Sequence, residues 1–92
     1  MGKEISFKNR DRFIELGVTV SALRKIKGLS QEELAYKMDI SRSHLSAIEA
    51  PGTAYGFSLD VFFNLADALE IDPAELLIRA GIIDTITRKK KR

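Results

Sequence analysis

The chain has 92 residues, 45% of them apolar, and no cysteine. That is the size of one domain, which must rest on a single hydrophobic core with no disulfide or cysteine-bound zinc. No apolar run approaches the ~20 residues of a membrane span, and "MGKEISFKNR" lacks the apolar segment of a secretory leader. The net charge of +2 hides a segregation: residues 1–28 carry seven basic against three acidic side chains, residues 29–87 carry three against ten, and residues 88–92 read RKKKR. Basic ends of this kind suit solvation alone, or contact with one anionic surface.

Helix signals dominate the chain. "NRDRFIELGVTVSALRKIKG" places Phe13, Leu16, Val20 and Leu23 at helical spacing, and Gly28 stops the helix. Ser30 with Glu33 forms a capping box for a second helix, ending near Met38. Ser41 caps a third helix, Arg42–Ala50. "APGTAYGF" is a loop, broken by Pro51, Gly52 and Gly56. Ser58 caps a fourth helix with a broad apolar arc from Leu59 to Leu69. Asp72, Pro73 and Glu75 announce a fifth, with Asp72 as cap, Pro73 at the first helical position and Glu75 as the return arm of a capping box. It ends at Gly81. "IIDTIT" is rich in β-branched residues and ambiguous between strand and helical extension. The expected organisation is a basic arm over residues 1–12, an all-α five-helix domain over 13–80, and a tail over 81–92.

The second and third helices are short and separated only by Asp39, Ile40 and Ser41. A reversal that tight calls for positive φ at Asp39, which Gly adopts best and Asp tolerates. Leu34, Ala35, Met38, Ile40, Leu45 and Ile48 then face one core, with Ala35 small at the crossing. Such a helix pair can lay its first helix across a nucleic-acid backbone and its second in the major groove. The outer face of the second is small and polar, so it can sit deep. Arg42 supplies a fork that can pair with guanine O6 and N7.

"GLSQEELAYKMDISRSHLSAIE" resembles the Cro/repressor-type (XRE) helix-turn-helix proteins, and the resemblance extends through "SLDVFFNLADALEIDPAELL". It implies a five-helix, lambda-repressor-like DNA-binding domain and a sequence-specific transcriptional regulator, most simply a repressor. By this resemblance Gln31 touches a phosphate and supports the recognition helix, and Lys37 touches the DNA backbone. Arg42 and Ser43 reach base edges, and Ala47 faces bases one turn on. Ser41 is cap and neighbour of phosphate or base. Arg24 and Glu49 form a structural ion pair between the first helix and the end of the third. His44 and Ser46 share the recognition face, and Tyr55 is a candidate phosphate donor from the loop. Asp39 replaces the usual turn Gly, Thr19 and Ser21 stand where many relatives carry basic residues, and the loop from Ala50 to Phe57 is longer than the commonest form.

Other chemistry finds little footing. His44 is the sole histidine, so no metal site is expected. Ser41, Ser43, Ser46, His44 and Asp39 include the residue types of a catalytic triad. They crowd onto one turn and helix without a nucleophile-elbow motif, and capping explains Ser41 better. No catalytic site and no cofactor are expected. The expected partner is double-stranded DNA with a palindromic operator, in a bacterial or phage-like cytoplasm at the nucleoid. An antitoxin or a restriction-modification controller would use the same residues, and a protein-interaction adaptor is the alternative of a different class. Leu77, Ile78, Ile82, Ile83 and Ile86 are left over after the core is counted. They predict a homodimer through the C-terminal region, unless they cover the monomer's own core.

Overall fold

The computed structural model describes residues 5–83. A short 3-10 helix, Phe7–Asn9, leads into α1 (Arg10–Ile26), followed by α2 (Gln31–Met38), α3 (Arg42–Glu49), α4 (Leu59–Ala68) and α5 (Pro73–Arg79). There is no strand among the described residues. The fold is all-α, as expected. Residues 7–12, expected in a basic arm, are helical and run into α1 without a break. Asn9 and Arg12 account for this locally: Asn9 donates to Ser6 Oγ at 3.1 Å, and Arg12 donates to Asn9 Oδ1 at 2.8 Å.

Four helix starts are set by side chains. Ser30, Ser41, Ser58 and Asp72 each accept a backbone N–H of the first turn. Each satisfies one of the donors that a helix start leaves unpaired. At α2 the full capping box forms, with Ser30 N–H donating back to Glu33 Oε1 at 2.8 Å. At α5 it does not. Asp72 accepts from Ala74 N–H, and Glu75 instead accepts from Arg79 Nε at 2.9 Å, one turn along the helix.

The helix ends share one device. Gly28, Asp39, Glu70 and Gly81 all have positive φ, at 75°, 58°, 58° and 80°. After each comes an apolar residue whose N–H reaches back to the helix: Leu29 to Arg24 O, Ile40 to Ala35 O, Ile71 to Ala66 O and Ile82 to Leu77 O, at 2.9–3.0 Å. All four apolar side chains pack against the core. This is the Schellman arrangement, in which a left-handed residue reverses the chain and the next residue plugs the core. It closes α1, α2, α4 and α5. The recognition-helix candidate α3 ends differently, with Ala50 extended (ψ 120°) and Pro51 following.

The core lies where α2, α3, α4 and α5 meet the inner face of α1. Val20, Leu34, Leu45, Leu65, Leu69 and Leu76 are fully buried. Ala35 is buried as well. Gly17 sits under α3, where a methyl group would overlap the carbonyl oxygen of Ile48. The absence of a side chain there is what allows α1 and α3 to touch backbone to backbone. The C-terminal apolar residues divide. Leu77 and Ile82 pack against the monomer core, whereas Ile78 and Ile83 are half-buried at its edge. Ile82 folds back because it is the plug of the α5 terminus. Ile86 and the basic end lie outside the described residues.

Candidate nucleic-acid interface

The α2–α3 pair forms around Asp39. Its φ of 58° and ψ of 43° place it in the left-handed region, and Ile40 turns inward beside it. The chain thus leaves α2 and enters α3 within three residues. Ser41 Oγ accepts the backbone N–H of His44 at 3.0 Å and fixes the start of α3. Leu45, Ile48 and Glu49 face inward and are buried. Ser41, Arg42 and Ser43 are exposed, and His44, Ser46 and Ala47 are half-buried at the helix rim. The exposed strip therefore carries one long cationic fork among short side chains. Its first turn also presents the positive end of the helix dipole.

A buried polar cluster holds α3 from behind. Arg24, at the end of α1, donates through Nε to Glu49 Oε2 at 2.8 Å and through Nη2 to Glu49 Oε1 at 3.0 Å. This two-point geometry matches the planar guanidinium to the carboxylate. Arg24 Nη1 also donates to the Leu29 carbonyl at 2.8 Å, tying the α1–α2 link to the same group. Gln31 completes the set, its Nε2 donating to Glu49 Oε1 at 3.0 Å. An ionised carboxylate only accepts, so the Gln31 amide must turn its nitrogen inward. The buried charges are compensated, and among the described residues no buried side-chain nitrogen or oxygen lacks a partner.

The structure thus joins Arg24 and Glu49, the pair that the family resemblance implies. It adds Gln31 as a third arm, at the first position of α2. Lys37 stands apart from the α3 strip. It lines a groove between α2 and α4 with Asp39, Asn64, Asp67 and Glu70. The loop after α3 reaches back to the strip: the Tyr55 ring meets the His44 ring at 5.8 Å between centroids, at 66°. Two residues on, Phe57 meets Phe13 of α1 at 5.2 Å and 88°. Nothing in the sequence announces the Tyr55–His44 contact. Gly17, at a position where the α1 pattern turns inward, offers the one sequence signal for the close α1–α3 approach.

A helix-turn-helix family model matches residues 20–76, which spans the cluster, the turn and the α3 strip. The chain belongs to the XRE-type helix-turn-helix family. As a member, it is a DNA-binding transcriptional regulator. Among solved structures, it is similar to the restriction-modification controller protein C.AhdI from Aeromonas hydrophila. The two are 37% identical, with a TM-score of 0.65, over 71% of this chain and 96% of that one. It is also similar to the clp gene regulator ClgR from Corynebacterium glutamicum, at 25% identity and a TM-score of 0.68 over 84% of this chain and 80% of that one. A hypothetical transcription factor from Neisseria, NHTF, matches at 25% identity and a TM-score of 0.64 over 100% of this chain and 97% of that one. No match was found among curated proteins. Among the described residues, this XRE-type chain has no helix long and apolar enough to cross a membrane.

Proposed function

We propose that the protein is a repressor that binds a palindromic operator as a homodimer, reading base edges in the major groove with α3. The observation that carries this is the exposed strip Ser41–Arg42–Ser43 on a helix held from behind by Arg24, Glu49 and Gln31. Arg42 is the base-reading fork, and Ser43 and Ala47 set how closely the helix approaches. Ser41, His44 and Ser46 contact the flanking sugar-phosphate. Gln31 keeps a second amide hydrogen after its bond to Glu49, which suits a phosphate oxygen. Lys37 acts on the DNA through charge rather than through bases. The protein works at the nucleoid in the cytoplasm.

One fork per recognition helix specifies little sequence, and a symmetric dimer doubles it. The half-buried Ile78, in α5, and Ile83, just after it, support a C-terminal dimer surface. Selection of bound duplexes from a random pool tests the whole reading. The expected product is a two-fold related site with half-sites ~10–10.5 base pairs apart. Enrichment of no sequence would refute it.

The likeness to C.AhdI over nearly all of that chain favours one second reading, that this protein controls a restriction-modification system. In that case the selected site should lie upstream of its own gene, next to genes for a DNA methyltransferase and an endonuclease. A selected site remote from such genes would leave the stand-alone repressor.

A further inference from the structure

The loop between α3 and α4 is fastened at two points, and each fastening is aromatic. Phe57 stands edge-on to Phe13 of α1, and Tyr55 stands edge-on to His44 of α3. The two loop residues are two positions apart, with Gly56 between them, yet they engage different helices. The loop therefore spans from α1 to the rim of the recognition helix. Edge-to-face pairs at these separations are attractive, because the positive ring edge meets the negative ring face.

The consequence falls on His44. Its backbone is fixed, since its N–H is held by the Ser41 cap at 3.0 Å. A histidine at a helix rim with nothing beside it samples several staggered rotamers. Here the Tyr55 ring lies 5.8 Å from the imidazole, and His44 is half-buried. We infer that Tyr55 is a positioning residue for DNA binding: its ring holds the His44 imidazole in the orientation in which His44 meets the DNA sugar-phosphate backbone. This rests on the reading of α3 as the DNA-contacting helix. Tyr55 is 38% exposed, so its hydroxyl could instead touch a phosphate directly, and the test must separate the two roles.

The test uses the full chain and a duplex selected with the wild type. Tyr55→Phe keeps the ring and removes the hydroxyl, and should bind within about twofold of wild type. Tyr55→Leu keeps bulk and removes the ring edge. It should weaken binding about tenfold, to the same extent for matched and mismatched duplexes. His44→Ala should lose as much, and the double variant should lose no more than His44→Ala alone. The ring resonances of His44 without DNA should shift in Tyr55→Leu and stay in place in Tyr55→Phe. In the wild type, cross-relaxation between the two rings should persist when the duplex is added, a measurement that needs no variant to fold.

Loss of binding by Tyr55→Phe equal to that of Tyr55→Leu would assign the effect to the hydroxyl and overturn the positioning role. Additive losses in the double variant, an unaffected Tyr55→Leu, or ring contacts that vanish on DNA binding would each do the same. A chain that binds duplex DNA and fails these tests leaves the DNA-binding reading of α3 standing. A chain that binds no duplex overturns both.

Discussion

Glu49 is the residue on which α3 hangs. Its carboxylate takes three donors, two from Arg24 and one from Gln31, and its side chain is 3% exposed. Removing Arg24 leaves that charge buried with only an amide to balance it, which costs ~3–5 kcal/mol. Arg24→Ala should therefore lower thermal stability far more than it changes base preference, and a double-mutant cycle with Glu49→Ala should show strong coupling. Independent effects in the cycle would remove the pair as a structural unit. Arg42 makes the opposite case. It is exposed, so Arg42→Ala should leave the melting temperature in place and cost ~1–3 kcal/mol of specific affinity, relaxing preference at one position per half-site. Lys37→Ala should weaken all sequences equally and by less, because Asp39, Asp67 and Glu70 lie around the same groove. If both variants lose affinity uniformly, Arg42 does not read bases. At this scale the ion pair was legible through the family resemblance. The third donor to Glu49 and the ring contact of Tyr55 were not, because both depend on how separate elements meet, and neither residue type betrays that locally.

Helices α2 to α5 began where their capping side chains predicted, since a Ser or Asp before an apolar period is local chemistry. Their ends were harder. Gly28 and Gly81 mark positive φ by their lack of a Cβ, and Asp39 could be inferred from the tightness of its turn. Glu70 gives no such sign, yet it adopts φ 58° because Ile71 must turn into the core. The capping box expected at Glu75 fails for a related reason: Arg79 lies one helical turn away and offers a charged partner. Two of the four left-handed termini thus carry a side chain that this conformation disfavours, by ~1–2 kcal/mol each. Part of that is offset by the greater chain entropy glycine loses on folding. Asp39→Gly and Glu70→Gly should each raise stability by ~1 kcal/mol, measured by denaturant unfolding with an unchanged m-value. Glu70→Gly also loses a 4.0 Å exposed ion pair with Lys27, which is worth little. Asp39→Gly should in addition tighten DNA binding in a salt-dependent way, because it removes a negative charge from the turn that leads into α3. A drop in stability for both variants would show that these side chains make compensating contacts. Gly17→Ala should act in the other direction. The methyl has no room against Ile48, and the overpacking costs ~1–3 kcal/mol.

At the scale of the molecule, the five-helix architecture was legible because five apolar periods, four of them capped, leave few ways to build one core. The assembly was less so. The same run of isoleucines serves two ends: Ile82 closes α5 and joins the core, whereas Ile78 and Ile83 are half-buried at its edge. A variant at Ile82 would confuse unfolding with dissociation. Ile78→Asp with Ile83→Asp is the cleaner probe, and sedimentation at micromolar concentration should show wild-type dimers and variant monomers of similar melting temperature. A wild type that stays monomeric even with operator DNA would sink the C-terminal interface. The four Schellman termini also decide where the chain can change length. Each couples a reversal to the very next residue, so one residue inserted after Gly28, Asp39, Glu70 or Gly81 draws Leu29, Ile40, Ile71 or Ile82 out of register with the core. The segment after α3 has no such coupling: Ala50 is extended, and Gly52, at φ 77°, has open space around it. Lengthening a loop there costs only the slowly growing entropy of closure, ~0.6 kcal/mol for a doubling. A glycine inserted after Gly52 should leave the melting temperature nearly unchanged, while the same insertion after Asp39 should lower it steeply. Natural variation in chain length can therefore accumulate beside α3 without loosening the scaffold that carries it.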